Sequence, residues 1–208
     1  MRKLAVVFAM GCFSTMAWGQ AGEFWFNFGE SITGDTNLGT PLAFGGSSSD
    51  AKLANGYRFS FRFNFNVGDH YGAEVGYAFN HSDLQYSSAA GSALGAGGAF
   101  SQGMHYHQGT FNALYYPFTS DTSHVRPFAT AGVQFTDFVP PGGGINYGSQ
   151  NKFGANFGVG VKVHVHGMWG ARFDLRDYIM GKPDFGYLQM GSGALNIIEA
   201  SAGVGIGF

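Results

Sequence analysis

The chain has 208 residues and a formal net charge of -2, with charged side chains at only 12%. That length suits one domain, and the near-neutral balance leaves no electrostatic footprint for nucleic acid. Glycine (35) and phenylalanine (22) are over-represented, yet no apolar run approaches the roughly 18 residues of a spanning helix, so strands are the open route across a membrane.

The first residues carry the pattern of an export signal. Arg2 and Lys3 form a basic start, Leu4 to Phe13 an apolar segment, and small residues around Ala17, Gly19 and Ala21 offer cleavage positions. Residues 1–20 are therefore expected to be a signal peptide, with 21–208 as the mature domain. A buried first strand or short helix is the plainer alternative. Cys12, the only cysteine, lies in this segment, so the mature chain has neither a disulfide nor a cysteine nucleophile.

Beyond it, Phe24, Phe26 and Phe28 alternate with Glu23, Trp25 and Asn27, predicting a first strand. Residues 30–56 are polar and rich in Gly and Ser, the composition of a long loop. In 57–67 the alternation is strict: Tyr57, Phe59, Phe61, Phe63, Phe65 and Val67 against Arg58, Ser60, Arg62, Asn64 and Asn66. Successive strand side chains take opposite faces, so this ribbon has one apolar and one polar side. Gly68-Asp69-His70 turns the chain tightly into a strand over 71–80, and 81–103 is predicted as a second long loop. Further strands follow at about 106–116 and 125–136, joined by a short connection, with a third loop at 137–150. Strands at 152–166 and 169–176 flank a tight turn at Gly167. After a fourth loop, 177–193, the last strand runs from 198 to 208.

Eight strands are thus joined by connections that alternate long and short. An even number puts both ends on the side of the short turns, the layout of an eight-stranded antiparallel up-and-down transmembrane β-barrel. The polar parity carries Glu23, Arg58, Arg62, Glu74, Arg126, Lys152, Lys162, Arg172, Asp174, Arg176 and Glu199, while the apolar parity is almost free of charge. A soluble ligand-binding barrel would turn the apolar side inward. Glycines on the charged parity, among them Gly76, Gly158 and Gly203, favour the opposite, because long arginines in a narrow lumen need small neighbours. Aromatic residues near the apolar strand ends (Tyr57, Tyr71, Tyr115, Trp169, Phe208) suit interfacial girdles.

At this point the chain resembles a known family. The final Gly203-Val204-Gly205-Ile206-Gly207-Phe208, ending on an aromatic, looks like the C-terminal assembly signal of bacterial outer-membrane barrels. The stretches 126–133 and 169–178 resemble strands of OmpA/OmpX-type barrel domains. The resemblance spans the mature chain through loose, fold-level motifs. It implies a location in the outer membrane, insertion by the assembly machinery through Phe208, and contact with outer-membrane lipids and lipopolysaccharide. It is to the barrel alone, so no peptidoglycan-binding domain is expected.

Arg58, Arg62, Glu74, Lys162, Arg172, Asp174, Arg176 and Glu199 are the expected lumen charge network. In a barrel just wide enough for side chains to fill, they act either as a structural plug or as the gate of a narrow pore. His105/His107 and His164/His166 each place two rings on one strand face, but no acidic or cysteine ligand lies near either pair, so no metal is expected. His81-Ser82 invites comparison with small lipid-modifying barrel enzymes that use a His/Ser pair. Such a dipeptide is not a triad, which is recognised by geometry. The resulting expectation is a monomeric, non-enzymatic barrel without cofactor or nucleic-acid partner, with a surface role; its rivals are a narrow channel for small solutes and a lipid-modifying enzyme.

Overall fold

The computed structural model describes residues 21–34, 36–41, 50–118, 124–140, 150–183, 185, 188–190 and 193–207. The expected signal peptide and Phe208 lie outside these residues. Eight long antiparallel strands close on themselves: β1 (Ala21–Thr33), β4 (Gly56–Val67), β5 (Tyr71–Tyr86), β6 (Phe100–Tyr115), β7 (Val125–Val139), β8 (Gln150–His166), β9 (Trp169–Gly181) and β11 (Ala194–Gly207). β1 pairs with both β4 and β11, which completes the ring and leaves no edge over the height where all eight strands pair. Gly68 and Gly167, at φ of 61° and 60°, provide the left-handed backbone that the tight β4–β5 and β8–β9 turns require.

Exposure follows parity. On β4 the phenylalanines and Tyr57 face outward, while Arg58, Ser60, Arg62, Asn64 and Asn66 are buried inside. The ten steps from Tyr57 to Val67 cover roughly 34 Å of strand at about 3.4 Å each, or roughly 26 Å along an axis tilted by about 40°. That height matches the apolar band, about 25 Å tall, of an outer-membrane barrel. Outward phenylalanines of β1 and β4 pack against one another, Phe24 to Phe63 and Phe28 to Phe59 both at 5.0 Å between centroids.

The strands run past the loop boundaries expected from sequence. β5 continues to Tyr86 and β6 starts at Phe100, so both ends of 81–103 are strand, and between them lies a one-and-a-half-turn helix, α1 (Ser88–Ala93), capped by Ser87. Within 30–56, β2 (Asn37–Pro41) and β3 (Ala51–Leu53) form, and β3 extends the sheet along β5 above the end of β4. β10 (Leu188–Met190) pairs with β2. The reason is an inversion of polarity. Above Asn80 the inward positions become apolar (Leu84, Tyr86, Met104, Tyr106, Phe138, Met180, Leu195, Ile197) and close into one buried cluster with Leu38 and Leu53. Outward positions there are polar, as Asp83, Gln85 and Ser101 are. This part of the wall is built like a soluble barrel, with its greasy side turned in.

Candidate lumenal site

Below that apolar cluster, β4, β5, β9 and β11 each aim charged side chains at the axis. Register sets their heights. Arg62 stands opposite Gly76, and Glu74 opposite Asn64, so Arg62 and Glu74 lie two residues apart in the register of the hairpin. Glu74 instead reaches across the lumen: its Oε2 accepts from Arg172 Nη2 and its Oε1 from Arg176 Nη1, each at 2.7 Å. Asn112 Nδ2 adds a third donor at 3.2 Å.

Asp174 lies between Arg172 and Arg176 on β9. Arg172 Nε donates to its Oδ2 at 2.7 Å, Arg176 Nη2 to its Oδ1 at 2.9 Å, and Arg62 Nη1 sits 2.8 Å from the same Oδ1. Glu199 on β11 meets Arg62 at 2.5 Å and Arg58 at 3.3 Å, and accepts from Tyr178 Oη at 2.6 Å and Ser201 Oγ at 2.5 Å. Each side chain in these ion pairs is no more than 2% exposed. Four guanidiniums and three carboxylates thereby form one continuous layer across the barrel. Charge-assisted, forked contacts of this kind are the strong class of hydrogen bond, and the planar guanidinium suits several acceptors at once.

Room for the layer comes from the parity glycines. A Cβ on Gly158 would lie 2.4 Å from the Leu175 carbonyl and 2.8 Å from Arg176 Cγ, so the β8 backbone supplies the space that Arg176 occupies. Of the eight residues expected from sequence, seven belong to this layer; Lys162 does not. It sits lower, bonded to Glu23 and, at 2.6 Å, to Tyr116 Oη, with Asn66 Nδ2 donating to Glu23 Oε1 at 2.7 Å. Sequence reasoning left Tyr178, Tyr116 and Trp25 out of the network. Tyr178 shares the inward parity of Arg176 two residues on, a signal that the predicted loop boundary at 177 concealed. Beneath the arginine layer, Leu114, Tyr116 and Phe128 form a second buried apolar cluster, and the Arg172 guanidinium lies 4.7 Å from the centre of the Phe128 ring.

The histidine motifs resolve differently. His81 faces outward and Ser82 inward, where Ser82 Oγ donates to the Ala54 carbonyl, so the two cannot act as a pair. His105 and His107 point outward too, His105 stacked on Phe79 at 5.8 Å and His107 within 2.7 Å of Tyr77 Oη. Among the described residues no group of three His, Cys, Asp or Glu could hold a metal ion.

A closed eight-stranded antiparallel ring, apolar outside over the height of a membrane and charged within, defines a transmembrane β-barrel. The sequence agrees at the level of family: residues 5–208 match the outer membrane protein beta-barrel domain, and the chain belongs to that family of the bacterial outer membrane. Its fold is similar to that of OprG from Pseudomonas aeruginosa (14% identity, 91% of this chain and 97% of that one, TM-score 0.63). It is also similar to neisserial surface protein A (14%, 91% and 97%, TM-score 0.55) and to the N-terminal barrel of Pseudomonas aeruginosa OprF (16%, 90% and 97%, TM-score 0.50). At such identities the likeness is one of fold. Among curated protein sequences none matches.

Proposed function

We propose that this chain is a non-enzymatic, monomeric outer-membrane barrel whose lumen is a rigid plug and whose work is done at its outer surface. The observation that carries this reading is the ion-pair layer, which ties β4 and β5 to β9 and β11 with side chains removed from water. It lies between two apolar clusters, and a hydrated ion would have to displace all three layers. Residues 1–20 act as the cleaved export signal and Phe208 as the assembly signal read by the insertion machinery. The short-turn end faces the periplasm and the long connections face out. There, outward Tyr57, His81, His105 and His107 lie at the upper edge of the apolar band, where lipopolysaccharide meets the wall. Recording from purified protein in planar bilayers tests the plug. Silence under applied voltage is expected, and regular unitary steps from the folded monomer would favour the narrow-channel reading instead.

A further inference from the structure

At the short-turn end the lumen opens into a cavity of about 560 Å³. Glu23 and Trp25 reach it from β1, His124 and Arg126 from the start of β7, and Lys162 and His164 from β8. Among the described residues that line it, bases outnumber acids, and the acid, Glu23, is already engaged. Glu23 accepts from Trp25 Nε1 at 2.8 Å, from Asn66 Nδ2 at 2.7 Å, and from Lys162 Nζ. Lys162 and Glu23 therefore offset each other.

Arg126 remains as a cation with no carboxylate partner among the described residues. Its guanidinium is fixed, with Cζ 3.6 Å from the Tyr116 ring centroid and Nη2 donating to the Asp69 carbonyl at 2.8 Å, yet its buried Nε–H has no partner among those residues. Beside it, the rings of His124 and His164 stack at 5.8 Å and 21°, held by the His164 N–H donating to the His124 carbonyl at 2.7 Å. Neither ring meets a carboxylate among the described residues. Met168 and Trp169 border the same cavity and are 60% and 57% exposed, on the side where a wall of this kind meets lipid head groups. A pre-oriented guanidinium with spare donor capacity, flanked by imidazoles, is built to receive a phosphate oxyanion. Basic pockets at this depth also meet anionic head groups.

We infer that this vestibule binds a phosphate group, with Arg126 as anchor and His124 and His164 as flanking donors. The phosphate arrives either as the head group of an anionic phospholipid or as free inorganic phosphate. Which source reaches the site rests on the proposed orientation, while the binding chemistry does not.

The test uses the folded mature barrel in uncharged maltoside micelles, followed by nitrogen–proton spectra of the Arg126 Nε–H, the imidazoles and the Trp indoles. One arm titrates sodium phosphate against sodium chloride of equal ionic strength; the other dopes the micelles with phosphatidylglycerol or with uncharged diacylglycerol. Saturable shifts at Arg126 are expected with phosphate or phosphatidylglycerol and not with the two controls. A tenfold preference for phosphatidylglycerol identifies a lipid site, and the reverse preference a site for free phosphate. Arg126→Gln and the double variant His124→Gln/His164→Gln should each weaken binding at least tenfold. Because Arg126 also braces Tyr116, the double variant, whose rings are exposed, decides the matter if Arg126→Gln does not fold. Equal response to chloride, drift without saturation, or undiminished binding in the variants overturns the inference. An inverted orientation would appear separately, as protease access to the short turns on intact cells while binding in micelles persisted.

Discussion

Replacing Glu74 by Ala removes the carboxylate that holds Arg172 and Arg176 at 2.7 Å each, and leaves Asp174, which Arg62 also contacts, as their remaining carboxylate partner among the described residues. All of these side chains are essentially inaccessible to solvent, so no water takes over the lost contacts without opening the layer. Breaking a buried pair by deleting one partner typically costs about 3–5 kcal/mol, because the remaining charge stays buried and unpaired. Two charge-assisted hydrogen bonds at about 1.5–3 kcal/mol each give a range of similar size. Glu74→Ala should therefore destabilise the barrel by about 3–5 kcal/mol. Urea unfolding from lipid vesicles, read by tryptophan fluorescence, measures this. Gln85→Ala, at an exposed position above the band, serves as control and should stay within about 0.5 kcal/mol of the parent. The double variant Glu74→Ala/Arg176→Ala should show coupling of about 1 kcal/mol or more, because the two residues touch. A Glu74→Ala protein as stable as the control would mean that the layer does not hold the β5 wall to β9.

Gly158→Ala should lower the unfolding midpoint by about 1–3 kcal/mol worth of overpacking, since its Cβ would meet backbone atoms of Leu175 and Arg176; an unchanged midpoint would refute the fit described for β8. An epitope inserted at Ser48 should be reachable by antibody on intact cells, and labelling only after permeabilisation would invert the orientation. Phe208→Asp, or its deletion, should reduce the heat-modifiable folded fraction seen by electrophoresis, whereas full assembly at low expression would remove Phe208 from the assembly signal. Glu199→Ala, which removes the carboxylate that Arg58 and Arg62 share, should raise bilayer conductance above the silent parent, and continued silence would locate the seal in the apolar clusters rather than the charged layer.

The wall was legible wherever the two faces differ in the membrane sense. From Tyr57 to Asn80 an apolar outside and a polar inside write the alternation into the sequence, and strand, parity and hairpin all follow. Past Asn80 the code inverts. Leu84 and Tyr86 point in while Asp83 and Gln85 point out, and a reading tuned to lipid takes this for loop. β2, β3 and β10 are three to five residues long and carry no period at all; they form because β5 offers an edge beyond the end of β4. Inward-facing charges were legible as a set, through parity, and so was their pairing of carboxylate with arginine, but which arginine each carboxylate meets was not. Glu74 meets arginines from a strand 98 and 102 residues away in sequence, a contact made by ring closure and not by the hairpin that contains it.

That dependence bears on why the lumen is charged at all. An apolar filling of equal volume would often be no less stable than buried ion pairs, whose desolvation offsets much of their attraction. In a wall that faces lipid, however, an apolar lumen would make both faces of β4 alike. A one-residue slip, which exchanges every side chain between faces, would then carry little cost. With Arg58 and Arg62 on one parity and Phe59, Phe61 and Phe63 on the other, the same slip would put guanidiniums into lipid, at about 2–4 kcal/mol each near the midplane. It would also take both arginine partners from Glu199 and the Arg62 contact from Asp174. The charged layer therefore selects the register of each strand as well as filling the space between them, and the glycines opposite it, Gly76 and Gly158 among them, are where that selection becomes steric.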